Sequence, residues 1–243
     1  MKTFFGRIGN KTRMINDILK LIPQHKTYIE PFVGSGAVLL AKPPSEKEII
    51  NDLDTDVYNN FRLLKNASTD PKKYNIRQTL NEQQLLVNSS PSSKQDILLK
   101  AMYLTCNTFA GKVSNKLYKN RLGSAKIQNI KEYVNRLKKV KIYNKDYKTF
   151  LTKYDSNESF FFLDPPYQGS KSLYKNHNFD YEELHKLLSS IKGFFMLTLN
   201  DSEYLRTLFK DYYIKTITLK SVGGITIGRK PRQEIIIMNY IIK

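Results

Sequence analysis

The sequence has little cysteine and no long apolar run. Its one cysteine, Cys106, cannot form an internal disulfide, which argues against a secreted disulfide scaffold and favours a reducing compartment. No apolar stretch approaches the roughly 20 residues that a membrane-spanning helix requires. Residues 1–9 include basic side chains but lack an apolar core, so we expect no signal peptide. These absences predict a cytoplasmic protein that does not associate with membranes.

Acidic residues are also scarce relative to basic ones. The 243 residues include 40 Lys and Arg against 22 Asp and Glu, which gives a formal net charge of +18. The basic residues recur along the chain with tyrosines between them, a pattern typical of proteins that bind a phosphate backbone. A lysine-rich surface caused by biased codon usage would give the same total, so charge alone leaves that alternative open.

The apolar content predicts a folded core. At 40% hydrophobic and 12% aromatic residues, the chain suits one domain with a smaller insertion. Residues 1–65 and 140–243 alternate short apolar runs with amphipathic segments, which predicts βαβ units and a mostly parallel sheet covered on both faces. Residues 66–139 break this rhythm, and we expect them to form an inserted module of helices and a hairpin.

The periodicity places individual elements along the chain. Apolar runs of strand length predict strands at residues 26–32, 48–51, 159–163, 193–199 and 235–242. Amphipathic segments predict helices at residues 12–21, 37–41, 55–64, 95–106, 147–154, 181–191 and 203–209.

A glycine turn follows the first predicted strand. Residues 29–36 read IEPFVGSG, and the Gly-x-Gly turn opens a helix. Glycines at such a turn permit a positive φ and let a ligand approach the backbone. The third glycine of the dinucleotide fingerprint is replaced by Leu39, which disfavours NAD. A purely structural tight turn has the same appearance and stays open as an alternative.

Asp52 follows the second predicted strand, where a carboxylate can accept both ribose hydroxyls of a nucleoside. An ordinary Asn-Asp turn before a helix is the structural alternative. No helix start carries the Gly-Lys-Thr/Ser of a phosphate-binding loop. The glycine turn and Asp52 together therefore favour an adenosine-containing ligand without phosphate.

Residues 160–167, FFFLDPPY, carry the most specific signal. A buried strand delivers Asp164 to its carboxyl end, where ligands bind in open α/β sheets. Pro165 and Pro166 remove two backbone donors and stiffen the turn, so that carbonyls point outward, and Tyr167 adds an aromatic face. These groups predict a pocket for a planar heterocycle with an exocyclic amino group. A Pro-Pro turn without a function is the alternative.

The combined motifs resemble those of the S-adenosylmethionine-dependent DNA amino-methyltransferases. GRIGNK at residues 6–11 is similar to an additional cofactor-side motif of that family. The order of GRIGNK, glycine turn, insertion and DPPY resembles the alpha group, the D12 class that includes DNA adenine methyltransferase. NxFxG at 107–111 and QEIIIMNY at 233–240 extend the resemblance over nearly the whole chain.

The resemblance implies a fold, a cofactor and a substrate. The expected fold is a Rossmann-like methyltransferase sheet with helices on both faces. Residues 1–65 and 140–243 would form the catalytic domain that binds S-adenosyl-L-methionine, and residues 66–139 the target recognition domain. The substrate would be adenine in double-stranded DNA. The partner would be a cognate restriction endonuclease that acts separately. The enzyme would work in the cytoplasm, at the bacterial nucleoid or in a phage-infected or virus-infected cell.

By matched position, the resemblance also implies site residues. The cofactor would be contacted by Gly9, Lys11, Glu30, Phe32, Gly34, Gly36, Asp52, Asp146 and Tyr147. A flipped adenine would be held by Asp164, Pro165, Pro166 and Tyr167. No metal is expected, because His25, His177 and His185 show no ligand spacing with a cysteine.

DNA contacts are expected from the insertion and from a glycine-rich basic segment at 223–230. The candidates are Asn107, Lys112, Ser114, Asn115, Lys116, Lys119, Arg121, Arg229 and Lys230. A solvated hairpin tip is the alternative for 223–230. Relatives that methylate GATC typically place a guanine-reading Arg after NxFxG, but Ser114 stands three residues after Gly111. The resemblance therefore predicts the chemistry of this chain but not the DNA sequence that it recognises.

Two other activities stay open at this stage. The same acceptor geometry suits the N4 amino group of cytosine. A non-catalytic DNA-binding module that retains the fold is the second alternative, against which the intact Asp164, Tyr167 and glycine turn argue.

Overall fold

A computed structural model of the chain describes residues 1–7, 9–108, 116–117, 124–168, 179–219 and 232–242. Seven strands within these ranges form one sheet in the spatial order β3-β2-β1-β4-β5-β7-β6. The first five strands pair in parallel, and β7 runs antiparallel between β5 and β6. The strands are β1 (Thr27–Glu30), β2 (Lys47–Asn51), β3 (Lys141–Tyr143), β4 (Ser159–Leu163), β5 (Phe194–Asn200), β6 (Tyr213–Leu219) and β7 (Arg232–Met238).

Ten α-helices in the described ranges surround the sheet. They are α1 (Ile15–Lys20), α2 (Ala37–Ala41), α3 (Thr55–Lys65), α4 (Leu80–Asn88), α5 (Lys94–Cys106), α6 (Ser124–Gln128), α7 (Ile130–Leu137), α8 (Lys148–Lys153), α9 (Tyr181–Leu188) and α10 (Glu203–Leu208). Short 3₁₀ turns occur at Lys11–Arg13 and Pro71–Lys73.

The central strand β4 shows why the sheet is covered on both sides. All five of its residues are buried. Phe160 and Phe162 belong to one apolar cluster, whereas Phe161 and Leu163 belong to another. Since alternate side chains of a strand point to opposite faces, the two clusters are the two faces of the sheet. The predicted Rossmann-like sheet with helices on both faces is confirmed.

The segment 66–139 is helical where the structure describes it. α5 and α7 both pack against α3. Leu99 and Met102 of α5 share an apolar cluster with Phe61 and Leu64 of α3. The described part of this segment contains no strand, and residues 109–115 and 118–123 lie outside it. The insertion helices and one face of the sheet therefore share a continuous core.

Several predicted boundaries differ from the structure, and for two of them the contacts show a local reason. The last strand ends at Met238, not at residue 242, because the side chain of Asn239 takes over the hydrogen bonding: it accepts from the Phe195 N–H (2.9 Å) and donates to the Gly193 carbonyl (2.9 Å). The helix predicted at 12–21 divides into a 3₁₀ turn and α1, with Asn10 capping the turn.

No helix in the described ranges combines the length and the apolar character needed to cross a bilayer. The same ranges contain no cluster of three or more His, Cys, Asp or Glu side chains that could hold a metal ion.

Candidate active site

The direction in which successive strands are added to the sheet reverses between β1 and β4. The chain proceeds from β1 to β2 and β3 on one side, and β4 and β5 lie on the other. β1 and β4 are parallel neighbours, with Ile29 opposite Phe161, so their carboxyl ends lie side by side. Ligands of open α/β sheets bind in the crevice at such a point. Glu30 ends β1 and Asp164 follows β4, which brings the glycine-turn and DPPY motifs to one edge.

Asp164 is held from two directions. Its Oδ1 lies 2.6 Å from Lys11 Nζ and accepts a hydrogen bond of 3.0 Å from the Thr198 hydroxyl. Thr198 comes from β5 and also donates to the Leu163 carbonyl (3.3 Å). Burial raises the pKa of Asp164, and the neighbouring Lys11 ammonium opposes that shift. The carboxylate is therefore oriented before any substrate binds.

Lys11 reaches this site from the GRIGNK segment. It is only 4% exposed, and its Nζ donates to the Gly9 carbonyl (3.1 Å). Gly9 has a φ of 77°, which favours glycine. The same ammonium lies 4.7 Å from the centre of the Tyr167 ring, within cation–π range. The predicted cofactor residue Lys11 is thus in direct contact with the predicted base-binding residues.

The proline loop is fixed by hydrogen bonds at two adjacent residues, Pro166 and Tyr167. The Tyr181 hydroxyl donates to the Pro166 carbonyl (2.6 Å), and the Tyr167 hydroxyl donates to Glu234 Oε2 (2.6 Å). Pro165 is buried, while Tyr167 is half-buried. Burial and nearby carboxylates raise the pKa of the Tyr167 hydroxyl, which stays protonated. A partly open aromatic face thus follows Asp164 directly.

Glu30 lies beneath the crevice with 2% of its surface exposed. The Tyr28 hydroxyl donates to its Oε2 (2.8 Å). Burial raises the pKa of Glu30 to about 8, and the charge of Asp164 acts in the same direction. The Glu30 carboxyl is therefore mainly protonated at neutral pH.

The glycine turn is tied to the end of β2 through Asp52. Gly34 and Gly36 have φ values of 50° and 66°. Asp52 accepts one hydrogen bond from the Gly34 N–H (2.9 Å) and one from the Asp54 N–H (3.0 Å). A Cβ on Gly36 would approach Phe61 Cζ to 2.7 Å, so that position requires glycine. Burial raises the pKa of Asp52, and Arg7 opposes the shift.

Asn51 is a site residue that the sequence motifs did not single out. It is 1% exposed, and its Nδ2 donates to the carbonyls of Pro31 (3.0 Å) and Lys145 (2.8 Å). Its Oδ1 accepts from the Lys145 N–H (2.8 Å). One amide thus joins the loops after β1, β2 and β3. In the sequence, the position of Asn51 next to Asp52 was the signal that could have identified it.

Three half-buried aromatic rings gather beside these loops. The Phe32 and Tyr147 ring centres lie 5.1 Å apart, and Phe179 lies 5.8 Å from Phe32 and 5.6 Å from Tyr147. Asp146 is exposed, and its Oδ1 accepts from the Lys148 N–H (2.9 Å) at the start of α8. These aromatic faces could stack on an adenine ring, and the Asp52 carboxylate, which follows the neighbouring strand β2, could accept hydrogen bonds from ribose hydroxyls, so the residues present fit an adenosine group.

The expected DNA contacts are only partly within the described residues. Lys116 is exposed, as a DNA contact requires. Asn107 is fully buried and donates to Gln83 Oε1 (2.7 Å), so a direct contact of Asn107 with DNA does not fit this arrangement. The remaining candidates lie outside the described residues: Lys112, Ser114, Asn115, Lys119, Arg121, Arg229 and Lys230.

Comparison with known proteins gives matches over most of the chain. Residues 8–96 and 97–222 match the model of a family described as D12 class N6 adenine-specific DNA methyltransferase. The chain is 26% identical over 278 residues to the type II methyltransferase M1.LlaDCHI of Lactococcus lactis subsp. cremoris, which covers 99% of this chain and 96% of the relative. It is 27% identical over 292 residues to the type II methyltransferase M.MjaIII of Methanocaldococcus jannaschii, with 99% of each chain covered.

Proposed function

The chain belongs to the D12 class of N6 adenine-specific DNA methyltransferases, and from that premise we propose that residues 164–167 and the glycine turn at 34–36 form its transfer site. The enzyme methylates the N6 amino group of adenine in DNA and uses a methyl donor of the S-adenosylmethionine type. The observation that carries the site assignment is the contact between Lys11 and Asp164 at the carboxyl edge shared by β1 and β4.

S-adenosyl-L-methionine would be held on the β1–β3 side of this edge. Its adenine would lie against Phe32 and Tyr147, and its ribose hydroxyls would donate to Asp52, whose oxygens each have a further lone pair. The glycine turn would admit it close to the backbone. The other contacts in this proposal are Gly9, Lys11, Glu30 and Asp146. The cofactor supplies a methyl carbon on a sulfonium leaving group.

The target adenine would be held by the proline loop. The lone pair of its amino nitrogen is conjugated with the ring, so the nitrogen is a poor nucleophile. Hydrogen bonds from this group to Asp164 and to the Pro165 carbonyl would shift the nitrogen toward sp³ geometry and direct its lone pair. Tyr167 would stack on the extruded base and offset part of the cost of unstacking, which is a few kcal/mol.

Asp164 also provides a destination for the proton that the methylated nitrogen loses. Its burial raises its pKa, which makes it a stronger proton acceptor than an exposed carboxylate. Lys11 and Thr198 keep the carboxylate oriented toward the amino group throughout.

DNA would be bound by a target recognition domain at residues 66–139 and by the basic segment 223–230. The net charge of +18 supports a phosphate-dominated interface. We assign the contacts to the candidates other than the buried Asn107, which are Lys112, Ser114, Asn115, Lys116, Lys119, Arg121, Arg229 and Lys230. Because the relatives M1.LlaDCHI and M.MjaIII are named type II methyltransferases, a separate restriction endonuclease with the same target is the proposed partner. The methyltransferase itself would act on cellular DNA in the cytoplasm.

Two variants test the division of the site. Asp164→Ala should abolish labelled-methyl transfer to mixed-sequence DNA and leave binding of S-adenosyl-L-methionine, measured by calorimetry, near that of the wild type. Asp52→Asn should instead weaken cofactor binding. Near-normal transfer by Asp164→Ala would refute the assignment of the proline loop, and loss of cofactor binding in that variant alone would refute the division.

A further inference from the structure

A second buried carboxylate, Glu234, lies beside the proposed transfer site. β7 is antiparallel to β5, so the beginning of β7 lies at the carboxyl edge of the parallel strands. Glu234 is paired there with Asn200 of β5 and with Ile217 of β6. It is 5% exposed, in a strand that is otherwise apolar from Ile235 to Met238. An ionised carboxylate in such surroundings is costly unless other groups compensate it.

Glu234 contacts two members of the site. Its Oε2 accepts the Tyr167 hydroxyl hydrogen bond (2.6 Å) and lies 4.0 Å from Lys11 Nζ. The same Lys11 ammonium lies 2.6 Å from Asp164 Oδ1. One buried ammonium is therefore placed between two carboxylates, nearer to the one that would accept the target amine.

The position of that ammonium affects how Asp164 acts. An ammonium held tightly on a carboxylate withdraws charge from it and weakens it as an acceptor for a further donor. A second anion attracts the ammonium and adds negative potential at the first carboxylate. Thr198 cannot have this effect, because its hydroxyl is neutral and only orients Asp164.

Resting on the transfer site proposed above, we infer that Glu234 is a positioning residue that shares the Lys11 ammonium with Asp164 and thereby keeps Asp164 a strong acceptor for the amino group of the target adenine. The hydrogen bond to Tyr167 is the second function of the same carboxylate, because it fixes the ring that stacks on the base. The electrostatic influence has the expected sign: Glu234 raises the pKa of Asp164, whereas Lys11 lowers it.

Two matched variants separate charge from hydrogen bonding. Glu234→Gln keeps an oxygen that accepts from Tyr167 but removes the charge. Tyr167→Phe keeps the ring and the Glu234 charge but removes the hydrogen bond. Glu234→Asp keeps the charge on a shorter side chain and serves as the conservative rescue. Asp164→Ala is the reference for loss of the site itself.

The first measurement is the single-turnover transfer rate across pH. Glu234→Gln should lower the rate at neutral pH by about tenfold, less than loss of a direct transition-state contact. The acidic limb of its pH–rate profile should move to lower pH, because Asp164 loses a neighbouring negative charge. Tyr167→Phe should leave that limb in place, and Glu234→Asp should recover most of the rate.

The second measurement is DNA binding without a methyl donor. The probes are duplexes that carry either adenine or purine, which lacks the amino group, at the methylated position. That position is first located by sequencing DNA that the wild type has modified. The preference for adenine over purine should shrink by at least about threefold in Glu234→Gln, because Asp164 has become a weaker acceptor. It should be retained in Tyr167→Phe.

Three results would overturn the inference. The first is a wild-type transfer rate in Glu234→Gln, and the second is that this variant matches Tyr167→Phe in both measurements. The third is an acidic limb of Glu234→Gln that stays at the wild-type pH. If Glu234→Gln does not fold, Glu234→Asp decides: the inference predicts most of the wild-type rate with the limb in place, and a loss of rate comparable to that of Asp164→Ala overturns it. Full activity in Asp164→Ala would instead refute the proposed function, whereas an inactive Asp164→Ala beside a normal Glu234→Gln would refute only this role of Glu234.

Discussion

At the scale of single residues, four carboxyl groups gather near the proposed transfer site. Asp164, Glu234, Glu30 and Asp52 all lie near the carboxyl edge of the sheet, and each is compensated differently. Asp164 and Glu234 share Lys11, Asp52 accepts backbone N–H groups, and Glu30 is mainly protonated at neutral pH. Removing such groups from water is costly, so their concentration at one edge is itself a mark of a functional site.

The Glu30 carboxyl predicts a pH dependence of stability. Its pKa is about 8 in the folded protein against 4.5 in the unfolded chain, so the folded state holds the proton more tightly. The wild type should therefore lose stability as pH rises from about 4.5 to about 8, and Glu30→Gln should not. Between pH 6.5 and 8, the free energy of unfolding of Glu30→Gln relative to wild type should rise by about 2 kcal/mol.

Urea unfolding at several pH values measures this difference. Glu46→Gln, at an exposed glutamate, is the matched control. A difference between Glu30→Gln and wild type that stays constant from pH 6.5 to 8 would show that Glu30 is ionised in the folded protein at neutral pH.

Sequence motifs identified some of these residues and not others. The placement of Asp164 and Tyr167 at the edge of the sheet was predictable, because both belong to one contiguous stretch after a buried strand. Glu234 and Thr198 were not, because their contacts with Tyr167 and Asp164 depend on how β5 and β7 are paired. Asn107 was assigned to DNA from its motif, but its contact with Gln83 of α4 depends on helix packing that no local pattern reveals.

At the scale of elements, a buried ionic cluster joins α7 to β2. Arg136 of α7 forms hydrogen bonds with both carboxylate oxygens of Glu48, and its Nη2 also donates to the Leu39 carbonyl (2.6 Å). Lys42 Nζ lies 2.6 Å from Glu48 Oε1. Burial favours the neutral form of Glu48, but Arg136 and Lys42 prevail and lower its pKa. This cluster fixes the end of the insertion to the sheet.

Breaking the cluster should be strongly destabilising. Arg136→Met removes the bidentate partner of a buried carboxylate, which should cost about 3–5 kcal/mol in the free energy of unfolding. The double variant Arg136→Met with Glu48→Gln should lose less than the sum of the two single variants, because no buried charge is left without its main partner. Urea unfolding tests this, and a cost below about 1 kcal/mol for Arg136→Met would contradict the structural role.

Elements with uniform patterns were predictable, and those limited by single side chains were not. β4, which is fully buried and apolar apart from Ser159, matches its predicted range, and α2 follows the glycine turn as expected. The end of β7 depends on the amide of Asn239, and the division before α1 depends on the cap at Asn10. The alternation of strands and helices indicated a parallel sheet, but it could not indicate that β7 inserts antiparallel between β5 and β6.

For the whole molecule, the excess of basic residues predicts how DNA binding responds to salt. The logarithm of affinity should fall by about 0.9 per neutralised phosphate for each tenfold rise in salt. If exposed Lys116 contacts a phosphate, Lys116→Ala should weaken binding on all sequences and reduce this slope by about 0.9. Fluorescence anisotropy at several salt concentrations measures both quantities.

Lys192→Ala is the matched control, because Lys192 is an exposed lysine just before β5, at the edge of the sheet opposite the proposed site and outside the insertion. We expect it to leave the slope unchanged. Salt-insensitive binding by the wild type would contradict an interface dominated by phosphates, and a Lys116→Ala slope equal to that of the wild type would remove Lys116 from the interface.

The whole molecule serves to bring a methyl donor to the amino group of adenine in DNA. The most direct test is to incubate the enzyme with unmodified DNA of mixed sequence and S-adenosyl-L-methionine, digest the DNA to nucleosides and identify the methylated one by mass spectrometry. We expect N6-methyladenine from the wild type and none from Asp164→Ala. N4-methylcytosine, or no modified nucleoside from the wild type, would contradict this expectation.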